Sequence, residues 1–251
     1  MILRRVIKHF RHQEWTAIFL DFLIVVGGVF VGLQAQQFAV DRENRRSEVI
    51  YLNRLHEEVL QTLQLREGNV GRRFRTKEAL NNVYRILLGD GAHPKLSEKE
   101  CHALTSMHIM SEVTADLPTL TELLSAGKLD TIRSTEVRSN LIRYLQERDR
   151  SGDALETINK GVSPLYQRHP ELIELRGKED TGEADYAPFN PECHVLEMRN
   201  NRAFLNDFVG MRIRYLAYVG WIETTSEGIS RLHDALDQEL GIVHDHVEES
   251  Q

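Results

Sequence analysis

The chain has 251 residues, of which 41% are hydrophobic and 27% are charged, and its formal net charge is −7 at pH 7. These values suit a globular protein and exclude a chain that is disordered throughout, a polytopic membrane protein and a low-complexity chain. Two cysteines are too few for a disulfide scaffold. The acidic balance argues against a nucleic-acid partner, because nucleic-acid binders present a basic face.

The first thirteen residues form a basic segment without an acidic side chain. Their apolar residues recur at helical spacing with the cations opposite, which is typical of a short amphipathic helix at a membrane surface. A plain basic segment ahead of a membrane span is the alternative. Residues 1–13 are therefore predicted to be a cytoplasmic basic tail on the lipid bilayer. Its cations are Arg4, Arg5, Lys8 and Arg11.

A membrane anchor is predicted over residues 14–40. Its core, residues 15–33, carries one charge, and at ~1.5 Å per residue it spans roughly 28 Å, about one hydrocarbon core. A cleaved signal peptide is the alternative, but its apolar region is usually shorter and ends at a small-residue cleavage site, which is poor here. By the positive-inside rule the N-terminus is cytoplasmic, and the chain beyond residue 40 is periplasmic on a bacterial inner membrane.

Two features of this span suggest contact with another helix. Gly28 and Gly32 form a GxxxG pattern, which allows two helices to approach closely, although glycine is also simply common in membrane helices. Asp21 is the charged residue, and a carboxylate in hydrocarbon costs several kcal/mol unless it is protonated, paired or hydrated. Asp21 therefore either reaches water near the cytoplasmic interface or faces a neighbouring helix or a proton path.

Beyond the anchor, apolar residues recur every three to four positions, as in helices packed on one face. Residues 41–66 are predicted to be a helical stalk, ended by a break at Gly68 and Gly71, and residues 67–251 an α-helical extracytoplasmic domain. No segment shows the two-residue alternation typical of a strand. The predicted fold is all-α: a membrane helix continuing into a stalk, then a bundle of about five to seven helices, with 177–191 as an exposed polar loop.

Short signals predict where individual helices begin and end. Ser97 and Thr119 each precede a glutamate by three residues, which is the pattern of a capping box. Gly127 suits the C-terminal end of the helix that Thr119 would open. Asp153 and Asn201 are predicted to open two later helices.

Sequence motifs of common enzymes are absent, including the nucleophile elbow, the phosphate-binding loop and the zinc-protease motif. No catalytic residue, metal ligand or cofactor is predicted. His56 lies on the apolar stripe of the stalk and is interpreted as a core or interface histidine. His102 and His108 lie six residues apart on one predicted helix and do not share a face, so they are not expected to bind the same metal ion. His244 and its neighbours are interpreted as a solvated tail.

Cys101 and Cys193 are each followed by a histidine. In a periplasmic domain the natural interpretation is a disulfide, which would close a loop of about ninety residues and add roughly 4 kcal/mol in the chain-entropy model. Separate thiols are an alternative. A Cys2His2 zinc site is disfavoured, because adjacent helical residues point about 100° apart.

The segment that follows Thr119 resembles an uncharacterised family of bacterial single-pass membrane proteins, known as a domain of unknown function. Those proteins share a basic tail, a membrane helix with an acidic residue near its start, and a charged stalk. The resemblance implies this topology and a helical outer domain, and it implies no reaction or catalytic residue. The shared motif is matched here by Glu122, Leu123, Ser125, Gly127, Leu129 and Ile132.

The predicted function is that of a non-enzymatic accessory, scaffold or interaction subunit of a cell-envelope complex. The expected partners are the lipid bilayer and either another membrane protein or a second copy of the chain. One alternative is an ion-coupled subunit, because Asp21 is similar in placement to the membrane aspartate of flagellar-stator B subunits. The other is a periplasmic helical-bundle sensor that signals through a partner's membrane helix.

Overall fold

The computed structural model describes residues 14–89, 95–111, 116–177 and 189–243, with side chains described from residue 19 onward. Of the described residues, 80% are helical and the rest include one two-stranded sheet, which confirms the all-α prediction. The chain divides into two compact units, with the boundary after Leu52.

Seven α-helices and two β-strands lie within the described residues. A 3-10 turn, Leu129–Thr131, separates the third and fourth helices. The helices are α1 Glu14–Leu88, α2 Glu98–Ser106, α3 Pro118–Ser125, α4 Thr135–Asn159, α5 Leu165–Arg168, α6 Val195–Asn200 and α7 Arg202–Leu240, and the strands are β1 Ile173–Gly177 and β2 Phe189–Cys193.

Helix α1 is continuous over 75 residues. The break predicted at Gly68 and Gly71 is therefore wrong. A glycine inside a helix costs only about 1 kcal/mol relative to alanine, and packing on both sides of the pair outweighs that cost. Residues 53–66 of the predicted stalk lie in the second unit, where Leu55 and Val59 are fully buried.

Several helix ends follow the local signals. The Ser97 side chain accepts from the Glu100 backbone N–H, and the Glu100 carboxylate accepts from the Ser97 backbone N–H at 2.7 Å, which confirms the capping box. The Asn201 side chain accepts from the Phe204 N–H at 3.0 Å and opens α7. Gly127 ends α3 with a φ of 62°, a conformation that glycine adopts without steric cost.

Two other predicted helix starts are wrong. Helix α3 begins at Pro118, and the Thr119 side chain donates to a carboxylate of α1 instead of capping its own helix. Helix α4 runs through Asp153 without interruption. The reason is tertiary packing: Leu141 and Leu155 lie fourteen residues apart, close to four helical turns, and both are buried.

The predicted polar loop over 177–191 is partly wrong. Strands β1 and β2 pair antiparallel, with Ile173 opposite Cys193 and Gly177 opposite Phe189. The strand signal is weak because β2 contains an asparagine and a proline, which are both rare in strands. Residues 178–188 lie outside the described part of the chain.

The core of the second unit is built around α7. Helix α4 packs along α7, and the C-terminal part of α1 contributes to the same hydrophobic cluster. The aromatic side chains of α7 recur at helical spacing on its buried face. They are Phe204, Phe208, Tyr215 and Tyr218.

Candidate functional site

The first unit contains an apolar helical segment whose side chains are exposed. By length and composition alone, α1 is the helix in the described residues that is long and apolar enough to cross a membrane. None of its apolar window is buried. A core helix of a soluble protein would bury this surface, so burial of the segment by the chain itself is excluded among the described residues. A signal sequence meets the same criteria of length and composition.

The helix places the two glycines and the aspartate of this segment on one face. Gly28 and Gly32 follow Asp21 by seven and eleven residues, which correspond to about two and three turns at 3.6 residues per turn. A Cβ atom added at either glycine would meet nothing within 4 Å in the described structure. No described contact within the chain therefore requires glycine at these two positions.

The basic tail lies outside the described residues. The cations predicted to lie at the membrane surface fall outside the described residues, and so do the histidines of the C-terminal tail. The four cations are Arg4, Arg5, Lys8 and Arg11.

The motif that carries the family resemblance forms the connection between α3 and α4. Gly127 and Lys128 donate their N–H groups to the carbonyls of Leu124 and Leu123 at 3.1 and 2.8 Å, which is a Schellman motif. Leu123 and Ile132 are fully buried on either side of the turn. The motif is thus accounted for by the shape of the chain between α3 and α4.

The remaining motif residues also have structural roles. The Ser125 hydroxyl donates to the Glu122 carbonyl at 3.1 Å, and Leu129 is half-buried in the 3-10 turn. The Glu122 carboxylate pairs with Arg54 of α1 at 2.8 Å, where both side chains are about half exposed. An exposed pair of this kind contributes little stability.

Helix α1 also caps the start of α3. The Glu58 carboxylate accepts from the Thr119 backbone N–H at 3.0 Å and from its hydroxyl at 2.6 Å. A carboxylate at a helix N-terminus satisfies an unpaired N–H and interacts favourably with the helix dipole. The cap comes from 61 residues away, so no local pattern could have revealed it.

Cys101 and Cys193 form a disulfide, with their Cα atoms 6.0 Å apart. The bond joins α2 to the end of β2 across 92 residues of sequence. It consumes both thiols, so a Cys2His2 zinc site cannot form in this state. His102 lies beside Phe189 instead, with ring centroids 5.9 Å apart.

Buried tyrosines and a buried arginine lie in the core of the second unit. Burial raises the pKa of Tyr144 and of Tyr215 to about 12. The Arg66 guanidinium donates to the Ile222 carbonyl at 3.3 Å, and burial lowers its pKa. These groups do not exchange protons near neutral pH, so their contribution is to packing and hydrogen bonding.

Three side chains of the kinds that bind metal ions lie close together where α1 packs on α7 in the second unit. His56 Nε2 lies 2.8 Å from Asp237 Oδ1, and His233 Nδ1 lies 3.3 Å from Asp237 Oδ2. The two imidazole rings are stacked, with centroids 5.3 Å apart and planes 16° from parallel. One ligand atom from each residue lies within 4.8 Å of the others. We refer to these three residues as the His–Asp–His cluster.

Local structure fixes the orientation of the α7 members of this cluster. Asp237 lies in the last turn of α7, and its carbonyl accepts the N–H groups of Gly241 and Ile242. Gly241 has a φ of 66°, so the helix ends there in a glycine cap. His233 lies one turn earlier and therefore faces the same side as Asp237.

The sequence reasoning names only one member of the cluster. His56 is interpreted as a core or interface histidine, and its burial agrees with that placement. The four-residue spacing of His233 and Asp237 on one helix is a signal that could have been noticed, since such pairs share a face. The third member lies 181 residues from Asp237, and only the packing of α1 on α7 brings it near.

A second buried histidine–aspartate pair has an arginine beside the carboxylate instead of a second histidine. His169 Nε2 lies 2.8 Å from Asp207 Oδ2, and an arginine nitrogen of Arg168 lies 2.9 Å from the same oxygen. The cation balances the carboxylate, and the pair ties α5 to α7. This arrangement is a structural ion pair.

No protein-family model, curated protein or solved structure matches the chain. The resemblance to a family of single-pass membrane proteins therefore stays a prediction.

Proposed function

We propose that the chain is a single-pass membrane protein of the bacterial inner membrane that acts as an accessory or interaction subunit of a cell-envelope complex. The observation that carries the proposal is the apolar segment of α1, because none of its apolar window is buried by the chain. An exposed apolar surface of this length is costly in water and favourable in lipid.

The disulfide supports a periplasmic location for the second unit. Disulfides persist in oxidising compartments and are rare in the bacterial cytoplasm. The basic residues that precede the apolar segment favour a cytoplasmic N-terminus by the positive-inside rule. These two lines of support are independent, and they favour the same orientation.

The shared face of Asp21, Gly28 and Gly32 supports a helix partner in the membrane. Small residues four apart allow close approach of a second helix, and a carboxylate in hydrocarbon is stabilised by a polar partner. The partner is another membrane protein or a second copy of this chain. The functional role is then association, with no reaction assigned to the chain.

The test is purification of the full chain from membranes in mild detergent, with mass spectrometry of the proteins that accompany it. We expect a stoichiometric membrane partner, or a homo-oligomer, that is lost in Asp21→Asn or in Gly28→Leu. Asp130→Asn, which alters an exposed carboxylate of the second unit, is the matched control and should retain the partner. A chain that is monomeric and alone in every case would contradict the proposal.

The outcome also distinguishes an ion-coupled subunit from an accessory subunit. A polytopic partner lost only in Asp21→Asn would favour the ion-coupled subunit. A partner retained in both membrane variants would favour an accessory subunit held by its outer domain. Oxidation of both cysteines in the purified protein, measured by thiol labelling before and after reduction, would support export of the second unit.

A further inference from the structure

We propose that the His–Asp–His cluster binds one divalent transition-metal ion, with Zn²⁺ as the best fit. This site is independent of the membrane anchor and of any partner, since its three residues lie in the second unit. The inference rests on the position of the ligand atoms, the chemistry of the ligand set and the shielding of the site.

The ligand atoms of the cluster lie near the spacing of a metal site. Metal–ligand bonds of about 2.0–2.1 Å in a tetrahedral arrangement place neighbouring ligand atoms about 3.3 Å apart. The Nδ1 atom of His233 lies 3.3 Å from one oxygen of Asp237, and Nε2 of His56 lies 2.8 Å from the other. These two contacts involve different oxygens of the carboxylate, and one ligand atom from each residue lies within 4.8 Å of the others, so a bound ion would draw the three side chains closer together.

The ligand set selects a transition metal. Calcium and magnesium take oxygen ligands, whereas two imidazoles with one carboxylate suit Zn²⁺ and its neighbours in the first row. Three protein ligands leave a fourth position, which water fills in many zinc sites. Each neutral imidazole would bind the ion through one ring nitrogen and carry its proton on the other.

The cluster is shielded but not sealed. The side chains of His56, His233 and Asp237 are 11%, 15% and 13% exposed. Low exposure strengthens the attraction between a cation and the carboxylate, and the remaining exposure leaves a path for the ion and for a water ligand.

The second histidine–aspartate pair shows why distance alone is not sufficient. His169 and Asp207 approach as closely as His56 and Asp237, but the carboxylate there already faces the cation of Arg168. A guanidinium cannot coordinate a metal and would repel one. In the cluster the corresponding position holds a second imidazole, which is a metal ligand.

Metal binding would cross-link two distant parts of the chain. His56 lies on α1 and Asp237 at the end of α7, 181 residues later. A ligand that binds only the folded state stabilises it by mass action. We therefore expect the ion to act as a clip between the two helices and to raise the unfolding temperature of the second unit.

The experiment uses the full chain in detergent micelles, without a polyhistidine tag and stripped of metal by a chelator. Co²⁺ is titrated in as a spectroscopic probe and then displaced by Zn²⁺. We expect one Co²⁺ per chain, visible absorption bands typical of nitrogen and oxygen coordination, and an unfolding temperature that rises with Zn²⁺. His233→Asn and Asp237→Asn should each weaken binding about tenfold or more and abolish the thermal shift.

Two controls separate the cluster from other histidines. His102→Gln alters a histidine of α2, and the double variant His244→Gln/His246→Gln removes the histidines of the C-terminal tail. Both should bind Co²⁺ as the unchanged chain does. Because His56→Gln removes a buried side chain and can impair folding, the two α7 variants carry the test, with circular dichroism as the check on folding.

The proposal is overturned by either of two results. The first is an unchanged chain that takes up no Co²⁺ or Zn²⁺ at micromolar concentrations. The second is binding that persists in folded His233→Asn and Asp237→Asn but disappears in the tail variant. In both cases the cluster would be a hydrogen-bonded structural contact. Neither result bears on the membrane proposal.

Discussion

Helix α1 carries two apolar surfaces that meet different surroundings. Between Phe19 and Leu33 the large apolar side chains are 46–66% exposed and occupy most of the circumference of the helix. After Leu52 the apolar residues recur every three to four positions, and Leu55, Val59 and Leu80 are fully buried. A helix that is apolar on one face packs against a protein core, whereas a helix that is apolar all round and unburied suits lipid. By this criterion the first surface is suited to lipid and the second to a protein core.

The largest expected effect is a difference in the free energy of unfolding between matched substitutions, one in the buried core of the second unit and one on the exposed apolar surface of α1. Phe208 of α7 is fully buried in the second unit, whereas Phe30 of α1 is 62% exposed. We expect Phe208→Ala to lower the free energy of unfolding of the second unit by about 3–5 kcal/mol, because it leaves a cavity. Phe30→Ala should change it by less than about 0.5 kcal/mol.

The measurement is denaturant unfolding of the full chain in detergent micelles, followed by circular dichroism. Membrane association should remain in both variants, since the apolar segment loses only one side chain. Equal destabilisation by the two substitutions would show that the first surface is packed against protein, contrary to the comparison.

Alkaline pH should destabilise the second unit through its buried tyrosines. The pKa of Tyr144 and of Tyr215 is raised to about 12 by burial, whereas an unfolded tyrosine ionises near 10. The folded state therefore holds more protons between these values. The stability that each phenol contributes is present below pH 10 and is lost as the pH rises toward 12.

Unfolding midpoints at pH 9, 10 and 11 check this expectation. The loss of stability with pH should be smaller in Tyr144→Phe, which has no phenol to ionise. Tyr84 is 40% exposed, so Tyr84→Phe should keep the slope of the unchanged chain. Identical slopes in all three proteins would contradict the assignment.

The smallest expected effect compares two glycines. Gly127 has a positive φ at the end of α3, so Gly127→Ala should cost about 1 kcal/mol of stability in the second unit. Gly28 is helical and has free space around it, so Gly28→Ala should leave that unit unchanged. Any effect of Gly28→Ala should appear only in association of the chain within a membrane or micelle, measured by crosslinking. A loss of domain stability in Gly28→Ala would break the comparison.

Local signals predicted the parts of this fold that local interactions decide. The capping box at Ser97, the cap at Asn201 and the glycine at the end of α3 are confirmed because each involves residues within one turn. The break predicted at Gly68 and Gly71 is wrong because packing along α1 outweighs the small helix penalty of glycine. The helix start predicted at Asp153 is wrong because packing along α4 outweighs the local capping preference. The sequence does not predict strand β2 because it contains an asparagine and a proline, which are rare in strands.

The candidate sites divide in the same way. The apolar segment and its aspartate are visible in the sequence because they lie within one helix. The pairing of Glu58 with Thr119 and the His–Asp–His cluster depend on contacts across 61 and 181 residues, which no local pattern reports. Only the face shared by His233 and Asp237 could have been seen in advance.

The orientation of the chain tests the central claim most directly. Alkaline phosphatase, which is active only where its own disulfides form, is fused after Gln251, and its activity is measured in membranes washed with alkali. We predict that the fusion is active and remains in the washed membranes, with the second unit on the periplasmic side. An inactive fusion would place that unit in the cytoplasm. An active fusion found only in the soluble periplasm would show that the apolar segment is a cleaved signal sequence, and either result would contradict the account.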